Sequence, residues 1–155
     1  MTATSTGQDP VLTSRHVLTA RPEFAFKLLA NFSGYADWAP FLTISPTAKE
    51  PDPDRMDFSI RINQMKKPLV LSGKITDREP YSVIAWSIGA RGAFQLHERC
   101  TIKRAAAGSL IIHEVAFDGL LRRVIGSPLQ RLYAPVFHAL DRALVRRLGA
   151  AKRLR

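Results

Sequence analysis

At 155 residues, with a net charge of +10, 46% hydrophobic and 23% charged residues, the chain has the size and balance of one globular domain. No stretch approaches the ~18 consecutive apolar residues that a membrane span needs, which excludes a transmembrane helix. The single cysteine, Cys100, excludes an internal disulfide and a cysteine-based metal cluster, and it agrees with a reducing compartment.

Residues 1–10 are small and polar, with neither a basic start nor an apolar run. They read as a disordered lead-in, followed by one domain over 11–150 and a basic tail over 151–155. A cytoplasmic location is the default expectation. The positive charge is unevenly placed. Leu120 to Arg155 holds nine Lys or Arg against the one acid Asp141, so +8, while the first 119 residues hold 14 basic and 12 acidic groups, so +2.

Val11 to Thr19 predicts a strand, and Pro22 suits the first turn of a helix that follows at once. Phe24, Ala25, Leu28, Leu29 and Phe32 recur at three- and four-residue spacings and predict one buried helical face. Ser33-Gly34 stops that helix, and Tyr35 to Pro40 predicts a second short helical turn. Six candidate strands follow, around 42–48, 55–63, 68–78, 81–89, 93–104 and 109–118.

Met56, Phe58, Ile60 and Ile62 alternate with polar residues, as in a strand wetted on one side. In Ser82 to Ile88 the bulky set is Ile84, Trp86 and Ile88, and the other face is small enough to lie under a helix. Glu79-Pro80, Gly89 to Gly92 and Ala105 to Gly108 predict hairpin links, while Pro46 and Pro51 to Asp54 predict a loop that cannot join a central strand. The short links imply an antiparallel meander.

Leu129, Leu132, Tyr133, Val136, Phe137, Leu140, Leu144 and Leu148 carry the strongest periodicity in the chain and predict a long amphipathic helix. Gly126-Ser127-Pro128 is expected to separate it from a shorter Leu120 to Ile125 piece, and Pro135 to kink it. Arg131, Arg142, Arg146 and His138 fall opposite the apolar stripe.

This order of elements resembles the α+β helix-grip fold, in which a curved antiparallel sheet of six to seven strands wraps around a long C-terminal helix. Thr19 to Leu29, Tyr35-Ala36-Asp37-Trp38-Ala39-Pro40 and Phe117-Asp118-Gly119-Leu120 are similar to the START/Bet v 1-like (SRPBCC) superfamily, in particular its bacterial polyketide cyclase/dehydrase and lipid-transport branch. The resemblance covers residues 11 to 150. It implies a cavity between sheet and helix for lipid- or polyketide-like molecules, carried by some members and chemically transformed by others.

Several residues are candidates to line such a cavity: Trp38, Phe58, Trp86, Glu98, Cys100, Tyr133 and Phe137. Glu98 and Cys100 share a strand face with Phe94, Leu96 and Ile102. If that face is inward, Glu98 is a carboxylate among apolar groups, suited to acid–base work; the alternative is pairing with an arginine or reaching solvent at the strand end. His113 and Glu114 occupy opposite faces of the next strand, so only one of them points inward. With Glu98 they are the catalytic candidates.

Cys100 has no adjacent base and reads as an inert thiol. His16, His97, His113 and His138 lack ligand spacing, and there is no phosphate loop, nucleophile elbow or dinucleotide fingerprint, so neither metal nor cofactor is expected. Three functions stand open: binding of a small hydrophobic ligand; a cyclase- or dehydratase-type enzyme; and an adaptor docking its basic C-terminal helix, through Arg142, Arg146 and Arg147, on an anionic membrane or a partner. Nucleic acid is disfavoured, because no basic stripe with interleaved aromatics is present.

Overall fold

A computed structural model describes residues 9–47, 52–62 and 66–149. The strands are β1 (Leu12–Leu18), β2 (Leu42–Pro46), β3 (Arg55–Ile60), β4 (Leu69–Glu79), β5 (Val83–Ala90), β6 (Phe94–Ala105) and β7 (Gly108–Asp118). Between β1 and β2 lie α1 (Pro22–Ala30), a 3-10 turn over Phe32–Gly34 and α2 (Tyr35–Trp38); α3 (Arg122–Leu148) ends the described chain. The lead-in before residue 9 and the tail 151–155 lie outside the described residues.

All seven strands form one antiparallel sheet in the order β1-β7-β6-β5-β4-β3-β2. The meander accounts for β2 through β7, and the first strand returns to pair with the last. The sheet curves around α3, which packs against β1, β7 and α2. Both ends of α3 are tied to loops: Leu120 N–H donates to Gly92 O at 3.0 Å, and Thr19 N–H donates to Gly149 O at 2.9 Å.

Strand alternation sets the inner face. Met56, Phe58 and Ile60 are buried, as are Leu96, Glu98, Cys100 and Ile102 on β6 and Ile111, His113, Val115 and Phe117 on β7. Gly73 stands under the Phe58 ring, where a Cβ would meet the ring at 2.6 Å and Ser87 O at 2.5 Å, so only glycine leaves the ring its place.

Four expectations are corrected. Phe24 is 62% exposed, because α1 buries the narrower stripe Pro22, Ala25 and Leu29 and Phe24 falls beside it. The small face of β5 lies beneath an ion pair instead of a helix. Asp77, Ala85 and Arg99 stand in register on adjacent strands, and Arg99 Nη2 reaches Asp77 Oδ2 at 3.1 Å across Ala85. A bulge between Ile75 and Asp77 makes this possible, since in an unshifted register Asp77 would oppose Ile84 on the inner side.

Gly126-Ser127-Pro128 does not break the last helix: α3 is continuous and carries Pro128 and Pro135 inside it. Each proline removes one backbone hydrogen bond, and the burial of Tyr133, Val136, Phe137, Leu140 and Leu144 outweighs that loss. Finally, Leu132 is exposed and Leu129 and Leu148 are only half-buried, so the covered stripe is centred on the middle of the helix.

Candidate functional site

Register and helix phase bring four polar side chains together inside the core. On the sheet, Trp86 pairs with Glu98, and His113 sits opposite Cys100, one diagonal step from Glu98 on the same face. From above, α3 contributes Tyr133, Phe137 and Asp141, spaced four residues apart along one line of the helix. Of the pair left open by alternation, His113 faces inward, and Glu114 is half-buried on the other side.

The contacts are short and mutually consistent. His113 Nε2 donates to Glu98 Oε1 at 2.6 Å and His113 Nδ1 to Asp141 Oδ1 at 2.7 Å. Glu98 Oε2 accepts from Tyr133 Oη at 2.6 Å and from Trp86 Nε1 at 3.1 Å. The His113 ring stacks on Phe137 with centroids 4.2 Å apart. Beyond Asp141, His16 Nε2 lies 3.3 Å from its second oxygen, Oδ2. Glu98 and His113 are each 1% exposed and Asp141 4%. Neither an arginine nor solvent serves Glu98; a buried histidine does.

Electrostatics fix the protonation of this chain of groups. Burial alone lowers the His113 pKa, but the hydrogen bonds and charges of Asp141 and Glu98 outweigh it and raise the value to about 9. His113 is therefore an imidazolium at neutral pH, with both nitrogens donating and no lone pair left for a metal. Burial also raises the Asp141 pKa, yet the His113 hydrogen bond and charge more than reverse this, and Asp141 ends below the usual carboxylate value. Desolvation, with the Glu98 charge beside it, pushes the Tyr133 phenol well up, and the Cys100 thiol likewise.

An apolar pocket of about 190 Å³ adjoins this network. Its floor is Ile60, Leu71, Ile88 and Leu96, and its roof is Leu129, Leu132 and Tyr133 from α3. Tyr133 is thus the residue shared by pocket and network. Of the other candidate lining residues, Phe58, Trp86, Cys100 and Phe137 are buried in the core, Glu98 is buried in the network, and Trp38 packs on Tyr35 with centroids 4.8 Å apart. None of these six borders the pocket. Their bulk fills the centre of the space beneath the helix, beside this pocket. At the opposite edge, Ser14, His16, His138, Asp141 and Arg142 line an open groove of about 590 Å³.

The sequence reading misses Asp141 and His16. Asp141 did carry a signal, lying four residues after Phe137 and three before Leu144, which places a carboxylate on the apolar stripe. His16 alternates with Leu12, Ser14 and Leu18 on the inner side of β1, but only the pairing of β1 with β7 brings it to Asp141.

A seven-stranded antiparallel sheet gripping one long helix, with an apolar pocket between them, defines a START-like helix-grip protein, a fold suited to hydrophobic ligands. Over residues 10–152 the sequence matches the family model described as polyketide cyclase / dehydrase and lipid transport, and the chain belongs to that family. A START superfamily protein from Mycobacterium smegmatis superposes with a TM-score of 0.69 at 17% identity, covering 88% of this chain and 95% of that one. The ZhuI aromatase/cyclase from Streptomyces sp. R1128 gives 0.61 at 13% identity, with 88% and 92% covered. The di-domain aromatase/cyclase StfQ of steffimycin biosynthesis gives 0.64 at 9% identity, covering 90% of this chain and 49% of that one. At these identities the likeness is one of fold. No curated protein sequence matches the chain.

Proposed function

We propose that the protein binds a small hydrophobic molecule, or the apolar end of a larger one, in the pocket between β3–β6 and α3. The observation that carries this reading is the lining: apart from the Tyr133 hydroxyl, every side chain around the pocket is apolar. A volume of about 190 Å³ exceeds the roughly 150 Å³ of an apolar protein cavity that takes up benzene, so one aromatic ring or a short hydrocarbon segment fits. A bulkier ligand extends through the mouth beside Leu69 and Leu132.

NMR titration with 2-naphthol tests the assignment. Amide shifts confined to Ile88, Gly89, Leu96 and Leu129 are expected, and they disappear in Leu71→Trp, which fills the space. Shifts that persist unchanged in a folded Leu71→Trp protein, or that spread over the outer surface, would sink it.

A second reading is favoured by the hydrogen bond from Tyr133, a pocket residue, to Glu98. Tyr133, Glu98, His113 and Asp141 then form an acid–base relay of the kind a cyclase or dehydratase uses, with the phenol held protonated as donor. Glu114 faces away and takes no part. On a poly-β-ketone analogue that the wild type converts, Tyr133→Phe and Glu98→Gln are expected to lower turnover by roughly 10²-fold or more. Equal turnover in both variants rejects the relay and leaves the binding reading intact.

A further inference from the structure

Large exposed apolar side chains concentrate at the end of the molecule where the pocket opens. Leu120 (88% exposed), Leu121, Val124 (74%) and Ile125 crown the start of α3, and Leu69 and Leu132 stand at the pocket mouth. Two backbone hydrogen bonds, Leu120 N–H to Gly92 O and Leu121 N–H to Ala93 O, each 3.0 Å, hold the first group against the β5–β6 turn, whose flanks Gly89 and Phe94 line the pocket. Leu121, Ile125, Leu129 and Leu132 follow one another at four, four and three residues. A single helical stripe therefore runs from the outer surface into the pocket roof. Such a contiguous exposed patch marks an interaction surface, not ordinary scattered hydrophobes.

The charge at this end selects the occupant. Arg61, Lys66, Lys67, Arg91 and Arg123 are exposed at or beside the three connections that meet there, against the acids Asp9 and Asp118, and Asp118 lies 3.7 Å from His97. Apolar side chains interleaved with cations suit the interface of an anionic bilayer, where the first enter the acyl boundary and the second meet phosphate. The C-terminal half of α3 does not offer this combination. It exposes Arg142, Arg146 and Arg147, but among the described residues no large apolar side chain of that half is exposed.

We infer that the protein docks on anionic lipid membranes through its pocket-mouth end, with Leu120 and Val124 inserted and Lys66, Lys67 and Arg123 on the headgroups. The mouth then faces the bilayer, and an apolar ligand passes between lipid and pocket without crossing water. Docking itself does not depend on the pocket being occupied; only that passage rests on the ligand reading.

Sedimentation of the full chain with phosphatidylcholine vesicles, with and without roughly one quarter phosphatidylglycerol, tests this. Binding is expected only to the anionic vesicles and weakens as salt rises from about 0.05 to about 0.5 M. Leu120→Ser/Val124→Ser lowers the partition coefficient by about tenfold or more, and Lys66→Glu/Lys67→Glu/Arg123→Glu abolishes binding. Arg142→Glu/Arg146→Glu, whose sites lie about 30 Å along the helix from Val124, leaves it within about twofold. Absence of binding to both vesicle types, equal binding to both, or equal loss in the Arg142/Arg146 variant overturns the proposal. So does a dimer in light scattering that the Leu120/Val124 variant dissociates while vesicle binding is unchanged, since a second copy would then own the patch. The 2-naphthol titration of the Leu120/Val124 variant separates the two ideas: retained pocket shifts with lost vesicle binding support docking, and pocket shifts lost in wild type as well refute ligand binding alone.

Discussion

The buried charge chain makes the stability of this domain depend on pH in a direction its geometry fixes. The folded state holds the His113 proton with a pKa of about 9 against an ordinary 6.5. The stabilisation is therefore complete below pH 6.5 and is lost as pH rises to about 9. The difference corresponds to roughly 3 kcal/mol, or about 6–12 °C in Tm for a domain of this size. The control is the triple variant Glu98→Gln/His113→Phe/Asp141→Asn, which keeps the volume and removes the titrating groups.

Thermal and urea unfolding of both proteins from pH 6 to 10 gives the result as a difference between them. The wild type is expected to lose stability relative to the triple variant across pH 6.5–9, at up to about 1.4 kcal/mol per pH unit. A flat difference, or one that favours the wild type as pH rises, would refute the assignment of His113 as a buried cation.

Removing His113 alone has a harsher consequence. His113→Phe strands two carboxylates in the core and is expected to cost about 3–5 kcal/mol at pH 7, read as a drop of roughly 6–20 °C in Tm. Tyr133→Phe takes one donor from Glu98 Oε2 and leaves Trp86 Nε1 in place, so urea denaturation is expected to show a smaller loss, about 1–3 kcal/mol. Gly73→Ala drives a methyl group into the Phe58 ring and Ser87 O, and it should lower the urea midpoint by the equivalent of about 1–3 kcal/mol with the fold retained. Cys100, buried and with its thiol pKa pushed up, should resist Ellman's reagent in the native protein and react fully once urea unfolds it.

The family's apolar pocket and the proposed membrane face meet at one end of the molecule, while the charged network fills the middle. This division explains why large residues of the centre, such as Trp86 and Phe137, are core and not pocket. They fill space beneath the helix, and the apolar pocket lies where the strands carry Ile60, Leu71, Ile88 and Leu96 and the helix carries leucines.

Alternation and helical spacing are local properties of the chain, so the sequence alone determined the strands, the long C-terminal helix and the stripe that carries Tyr133 and Phe137, while it left open which face of β6 turns inward. It also left visible, unused, the carboxylate of Asp141 on the apolar stripe. Tertiary structure decided what those local patterns could not contain. Only the pairing of β1 with β7 brings His16 to Asp141, and only strand register sets His113 beside Glu98 instead of Glu114. Packing, too, let α3 run unbroken through Pro128. Each outcome depends on residues distant in sequence, where burial and charge pairing together outweigh the local preference of the backbone.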